Sequence, residues 1–397
     1  MEEEKRDNGF GRGLALGMLL SLAVLLALLG GVFMLLSARF SGVFSTGTLA
    51  KMLTIDSVIE KYALEDADQS DIADGIYKGM MSAIGDDYAE YYTKEEYQSM
   101  KESTEGSYDG IGALLTQDAE TNEITIVQIY EGSPAEKAGL LAGDKLIAAD
   151  EYQYVDLDLS TFVSHVKGKA GTTVNITYER DGKENTVEIE RATVEVPSVE
   201  GQMLQDGIGY VQISSFDGVT PAQFESTMED LKDQGMTSVI IDLRSNLGGL
   251  VDASVQMLDY LLPEGTVVYT IDKNGKKVEY TSDAEHYLDM PIVVLVDGYT
   301  ASAAEIFTGA IRDFSYGTII GTQTYGKGIV QRTFPLSDGS ALKLTVSKYY
   351  TPNGECIHKT GITPDIELEY EFLGGDDESY SIEYDNQILR AIEELQK

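Results

Sequence analysis

The sequence predicts a multidomain α/β (α+β) protein: an N-terminal membrane-spanning helix, a helical segment, a module of short strands, and an α/β core built on a mixed sheet. Three observations predict it. Residues 13–38 carry no charge and are dominated by Leu, Ala, Val and Met, enough to cross a bilayer core of about 30 Å as a helix. From about 106 to 196 short strands alternate with glycine turns. From about 201 to 370 continuous apolar strands alternate with amphipathic helices, the texture of a largely parallel or mixed sheet covered by helices. The expected divisions are 1–12, 13–38, 39–105, 106–196, 197–372 and 373–397.

The apolar run is longer than a signal-peptide core of about 7–15 residues, and no small-residue cleavage pattern follows it. Lys5, Arg6 and Arg12 precede it and only Arg39 follows closely. The excess of basic residues on that side predicts a cytoplasmic N-terminus, with the body carried outside a cell membrane on a single-pass anchor.

The chain of 397 residues has a formal charge of −38, which excludes nucleic acid as a partner because a phosphate backbone requires a basic surface. It also disfavours docking on an anionic membrane surface. A hydrophobic fraction of 43% with 40 glycines fits an ordered, turn-rich protein. Cys356 is the sole cysteine, so no intrachain disulfide staples the fold. His165, His286 and His358 form no Cys/His cluster, so no metal site is expected.

Residues 48–100 read as helical. Leu49, Met52, Leu53, Ile55, Val58, Ile59 and Tyr62 recur at helical spacing, and Ile72, Ile76, Met80, Met81 and Ile84 continue after a polar break. Thr93-Lys-Glu-Glu is the signature of a capping box opening a further helix. Dimerisation through this segment (a homodimer) and packing on the main domain both remain open.

The run Gly132-Ser-Pro-Ala-Glu-Lys-Ala-Gly-Leu-Leu-Ala-Gly-Asp-Lys-Leu-Ile147 resembles the PDZ domain in its bacterial protease variant. Ahead of it lies Gly110-Ile111-Gly112-Ala113, a glycine-rich loop before a strand. Free amides there are suited to a peptide's C-terminal carboxylate, and the strand edge to pairing with the peptide. Within this module 160–167 reads as a helix carrying His165, while Lys167 and Lys169 read as solvated surface lysines in preference to contacts with a substrate carboxylate or the protease domain.

In the core, strands are expected at 207–213, 238–243, 291–297, 318–321 and 341–349, with helices at 221–234, 251–262 and 303–314. A short amphipathic helix is expected at 385–396. Active sites of open α/β sheets lie where strands end and helices begin. One such end carries Tyr299-Thr-Ala-Ser302-Ala-Ala-Glu-Ile, a small-residue turn that can expose a serine hydroxyl at a helix start, with the Ala303 amide aimed at a developing oxyanion. Another carries Arg244-Ser-Asn-Leu-Gly248-Gly249, whose glycines can present a second donor. Thr324-Tyr-Gly-Lys327-Gly-Ile-Val-Gln331 supplies a lysine flanked by glycines. A serine needs a base to take its proton, and a desolvated lysine can be that base. The pair therefore points to serine-peptidase chemistry without histidine.

The end of Asp242-Leu-Arg-Ser-Asn-Leu-Gly-Gly superficially matches the Gly-Asn-Ser-Gly-Gly of chymotrypsin-like proteases with PDZ domains. Leu247 stands at the nucleophile position there, and in those enzymes the PDZ domains follow the catalytic domain. That reading is rejected.

With Gly361-Ile-Thr-Pro-Asp365, these motifs resemble the carboxyl-terminal processing proteases, also called tail-specific proteases, over roughly 48–397. The resemblance implies Ser302 as nucleophile, Lys327 as general base and Gln331 orienting the lysine. It implies an oxyanion hole from Gly248 or Gly249 with the Ala303 amide, and no metal or organic cofactor. Protein or peptide substrates with exposed C-terminal tails are implied, with the PDZ domain binding the tail and controlling access to the dyad. Glu355 stands after Pro352-Asn-Gly where the family often has a basic residue, which bears on substrate contacts in that loop. Glu305 is read as compensating charge at a helix N-terminus. A catalytically silent surface protein that only binds tails is the alternative, and intact Ser302, Lys327 and Gln331 argue against it.

Overall fold

The computed structural model describes residues 42–397 apart from 284, 286, 376 and 377, together with positions 14, 17, 18, 21 and 24. Apart from those five positions, the membrane-spanning expectation over 13–38 lies outside the described residues. Among the described residues no helix is long and apolar enough to cross a membrane.

The chain divides into two units, Met1–Gly79 and Met80–Lys397. In the first, the helix Thr46–Tyr62 begins at Ser45, whose hydroxyl accepts from the Thr48 amide at 3.3 Å. None of its residues is buried, and Leu53, Ile55, Val58 and Tyr62 are exposed.

The second unit opens with a finding against the helical reading of 48–100. Glu90–Tyr92 is a strand, antiparallel to Ala341–Tyr350. Its two tyrosines are buried, and aromatic side chains that pack on a pleated face favour strand over helix. The capping box does form: Thr93 and Glu96 exchange bonds at the start of the helix Lys94–Glu105.

Next comes a six-strand antiparallel sheet whose main path runs Ala113–Gln117, Ile124–Ile129, Lys145–Ala149, Thr173–Arg180, Lys183–Glu190, with Tyr152–Gln153 pairing off Lys145–Ala149. Val174, Ile176 and Tyr178 alternate inward, as the two-residue period of a strand requires. They meet Ile124, Ile126, Leu146 and Phe162 in one core. The first strand, Ala113–Gln117, is an edge. Lys167 is part-exposed, and it pairs with Glu102 at 3.0 Å and lies 4.6 Å from the Tyr108 ring centre. His165 stacks on Tyr152.

The core contains a six-strand sheet ordered Val199–Met203, Ile208–Ile213, Ser238–Asp242, Ile292–Val296, Thr318–Gly321, Ile366–Glu367. The first pair is antiparallel and the rest are parallel, so the sheet is mixed. Both central strands are buried at every position, which is why they read as continuous apolar runs. Thr220–Asp233, Val251–Leu261 and Ala303–Asp313 contribute to the core on one face. Asn386–Leu395 packs on the other. A second, antiparallel sheet joins Glu90–Tyr92, Ala341–Tyr350, Gly265–Asp272, Lys277–Ser282 and Ile329–Pro335. The sequence reading found only the second of these, because Gly265–Asp272 and Lys277–Ser282 mix polar and apolar residues without a continuous run.

Candidate active site

Three loops at the C-terminal ends of parallel strands converge on Ser302. The strand Ile292–Val296 leads into a tight turn, and Ser302 opens the helix Ala303–Asp313 with φ +56° and ψ −115°. A non-glycine residue rarely holds such angles, and strain of this kind collects at functional positions. The same strand–turn–helix geometry exposes the nucleophile of serine hydrolases on other folds.

The loop after Ser238–Asp242 is stitched to this turn. Buried Asn246 donates to the Ile213 carbonyl at 2.7 Å, and its own carbonyl accepts from Ala301 at 2.9 Å. Asp297 accepts from the Ser245 amide at 3.0 Å and from the Tyr299 and Thr300 amides at 2.9 Å. A Cβ on Gly248, whose φ is +97°, would lie 2.8 Å from Ser302 Cβ and from the Ala303 nitrogen. Only glycine lets the two loops approach so closely. The Gly248 amide is committed to Asn246 Oδ1 at 2.8 Å. Among the described residues the Gly249 and Ala303 amides have no protein acceptor, so these two are the donors available to an oxyanion.

Glu305 joins the serine turn to the lysine loop. It is fully buried, and its Oε2 accepts from the Ser302 amide at 2.9 Å and the Lys327 amide at 2.8 Å. Its Oε1 accepts from the Thr324 hydroxyl at 2.6 Å and the Gly326 amide at 2.7 Å. A buried carboxylate is tolerated when its lone pairs are filled in this way. Charge compensation at a helix start therefore understates its part. Its spacing of three from Ser302 was the signal, but the lysine-loop partners are invisible in sequence.

A cavity of about 740 Å³ is lined by Ser302, Gly249, Gln331, Lys343 and Tyr349, among others, but not by Lys327. Tyr349 donates to the Ser302 carbonyl at 3.1 Å. Gln331 donates to Thr345 Oγ1 at 3.3 Å, and Thr345 is held by Asp86 through amide and hydroxyl at 2.9 and 3.0 Å. Lys327 Nζ lies 4.5 Å from the Tyr88 ring centre. Among the described residues neither Ser302 nor Gln331 is hydrogen-bonded to Lys327 Nζ. Burial holds the Lys327 amine below the usual lysine range, helped by the positive charge of Lys343 and opposed by Glu305. Asp86 and Tyr88 escaped the sequence reading.

In the strand-rich module, Ile111 is buried and its carbonyl accepts from Ala135, while the Gly112 carbonyl accepts from Tyr130. Gly112 has φ +81° and abuts Ser133, so the loop turns before Ala113 starts the edge strand. Gly110 ends the strand Ser107–Gly110. Burial pushes the Tyr108 phenol up to about 12, opposed by the neighbouring Ala113 and Gly112 amides. Those are the amides expected to meet a peptide carboxylate.

The profile of peptidase family S41 matches residues 207–368 and that of the PDZ domain matches 105–190. A carboxyl-terminal-processing protease of Synechocystis is 33% identical over 300 residues, covering 74% of this chain and 70% of that one. The chain belongs to the carboxyl-terminal processing proteases of peptidase family S41. Another member, the carboxy-terminal processing protease CtpA of Bacillus subtilis, is 36% identical over 304 residues, 76% of this chain and 65% of the relative. The chain thus spans about two thirds of the length of these family members. Among solved structures, the photosystem II D1 C-terminal processing protease aligns with a TM-score of 0.48 at 28% identity, covering 80% of this chain and 86% of that one. As a member of the family the chain joins a PDZ domain to an S41 protease core in a mixed α/β architecture.

Proposed function

We infer that this protein is a serine endopeptidase that cleaves exported proteins, using Ser302 and Lys327 as a dyad and the PDZ domain to recognise C-terminal tails. The observation that carries the reading is Glu305, whose one carboxylate accepts from the amides of both Ser302 and Lys327. Two loops that are separate in sequence are thereby held in one frame beside a cavity lined by Ser302 and Gln331.

In the proposed reaction, neutral Lys327 takes the Ser302 proton as Oγ attacks the scissile carbonyl carbon. The Gly249 and Ala303 amides receive the oxyanion. The lysine ammonium then protonates the leaving amine, giving an acyl-enzyme and the free C-terminal fragment. Water attacks the ester, returns its proton through Lys327 and releases Ser302. Gln331 orients the lysine. The Ala113–Gln117 edge and the 110–113 loop fit a tail bound as an added strand. An anchor over 13–38 with the catalytic body outside the membrane completes the proposal, supported by the uncharged run and the basic residues before it.

The test is cleavage of an unstructured protein ending in an apolar tail, by wild type beside Ser302→Ala and Lys327→Ala. Fragments from wild type alone are expected. Fragments from either variant at the wild-type rate would refute the dyad. Stable tail binding without fragments would favour a binding-only protein.

A further inference from the structure

Among the described residues Lys327 Nζ makes no hydrogen bond to Ser302, and its ammonium lies instead over a ring carried by a turn that the protease motifs do not include. Lys327 Nζ lies 4.5 Å from the Tyr88 ring centre, while the cavity that reaches Ser302 and Gln331 is not lined by Lys327. The turn bearing Tyr88 is itself pinned. Asp86 accepts from the Tyr88 amide at 3.1 Å and from the Thr345 amide at 2.9 Å. Thr345 in turn accepts from Gln331. Tyr325, two residues before Lys327, lies beside Tyr88. One short turn therefore touches the lysine, its neighbour in the loop and, through Thr345, the glutamine.

We propose that Tyr88 is a positioning residue for the general base: its ring holds the Lys327 ammonium away from Ser302, and the lysine turns to the serine once its proton has passed to water. The physical basis is the ring quadrupole, which attracts a cation but gives a neutral amine little reason to stay. Residence over the ring is thus conditional on charge, so deprotonation both creates the base and releases it. This inference rests on the dyad reading. The other charged or titratable groups facing Lys327 are Lys343, which disfavours the ammonium, and Glu305, which favours it. Asp86 and Asp87 lie beside Tyr88, and His358 packs on Gly328.

The experiment measures, in the full-length chain, the pH midpoint at which Lys327 reacts with an acylating reagent, read by mass spectrometry of its peptide. The pH profile of kcat/KM is measured alongside. Tyr88→Leu keeps apolar cover but no π face, and should lower the midpoint and the acid limb of the profile by about half a pH unit, up to roughly one. Tyr88→Phe should leave both in place. Tyr88→pentafluorophenylalanine keeps the ring shape and drains its face, and should behave like Tyr88→Leu even if the leucine variant folds poorly. An unmoved midpoint in the leucine and fluorinated variants, or an equal shift in Tyr88→Phe, overturns the proposal. The labelling midpoint decides the ring contact without turnover, so wild-type cleavage by Lys327→Ala would refute the dyad separately.

Discussion

In the PDZ domain the groups proposed for a ligand are backbone groups: the amides of the 110–113 loop and the edge strand Ala113–Gln117. In the protease core the proposed groups include side chains from separate loops, tied by the buried carboxylate of Glu305 and the half-buried one of Asp297. The first arrangement needs only a strand and a glycine turn, and no charge is taken out of water. The second depends on charges whose every lone pair must be met, so one lost donor or acceptor is felt throughout. Binding surface and catalytic centre therefore differ in how far a single substitution propagates.

The sharpest break comes at the dyad. Ser302→Ala and Lys327→Ala should each lower kcat on the order of 10⁴-fold or more with melting behaviour retained, measured on a tail-bearing substrate. Next is Glu305→Gln, which turns an amide NH₂ toward groups that are all donors. It should reduce kcat about 10²-fold through misplacement of the two loops and cost roughly 2–3 kcal/mol of stability, seen in turnover and thermal melting. If turnover and melting are both unchanged, Glu305 does not hold the site together.

A comparable network at the start of the Gly248–Gly249 loop should affect stability most. Arg244 pairs with Asp242 at 2.6 Å and Asp385 at 2.8 Å, drawing the helix Asn386–Leu395 against the sheet. Arg244→Met leaves two buried carboxylates without a cation and should cost about 3 kcal/mol, read as a lower melting temperature. In the PDZ domain, Gly112→Val meets both a positive φ and Ser133. A local cost of about 1–3 kcal/mol is expected, with weaker tail binding and unchanged cleavage of a short untailed peptide. Loss of short-peptide cleavage would erase the proposed separation of roles.

The mildest effect is on pH. Burial lowers the folded-state value of Lys327, and the base must be neutral, so kcat/KM should rise with pH through that lowered value. The unfolded chain holds this proton more tightly than the folded one. Stability from this group is therefore gained as pH climbs from the folded to the unfolded value, and is absent below both. A profile whose acid limb sits at the ordinary lysine position would mean that Lys327 is solvated in the working enzyme.

What the sequence determined by itself was local: Ser302 on a small-residue turn at a helix start, Lys327 between glycines, and Thr93 with Glu96 as a capping box. The central strands were legible as well, because burial on both faces writes an uninterrupted apolar run. What only the tertiary structure decided joins distant positions. Glu305 meets Lys327 across 22 residues, and Asp86 meets Thr345 across 259. Glu90–Tyr92 became a strand because Ala341–Tyr350 supplied an edge. Turns, caps and periodicity follow from neighbouring residues, whereas the partner of a buried carboxylate or the ring beneath an ammonium is set by which loops the folded sheets bring together.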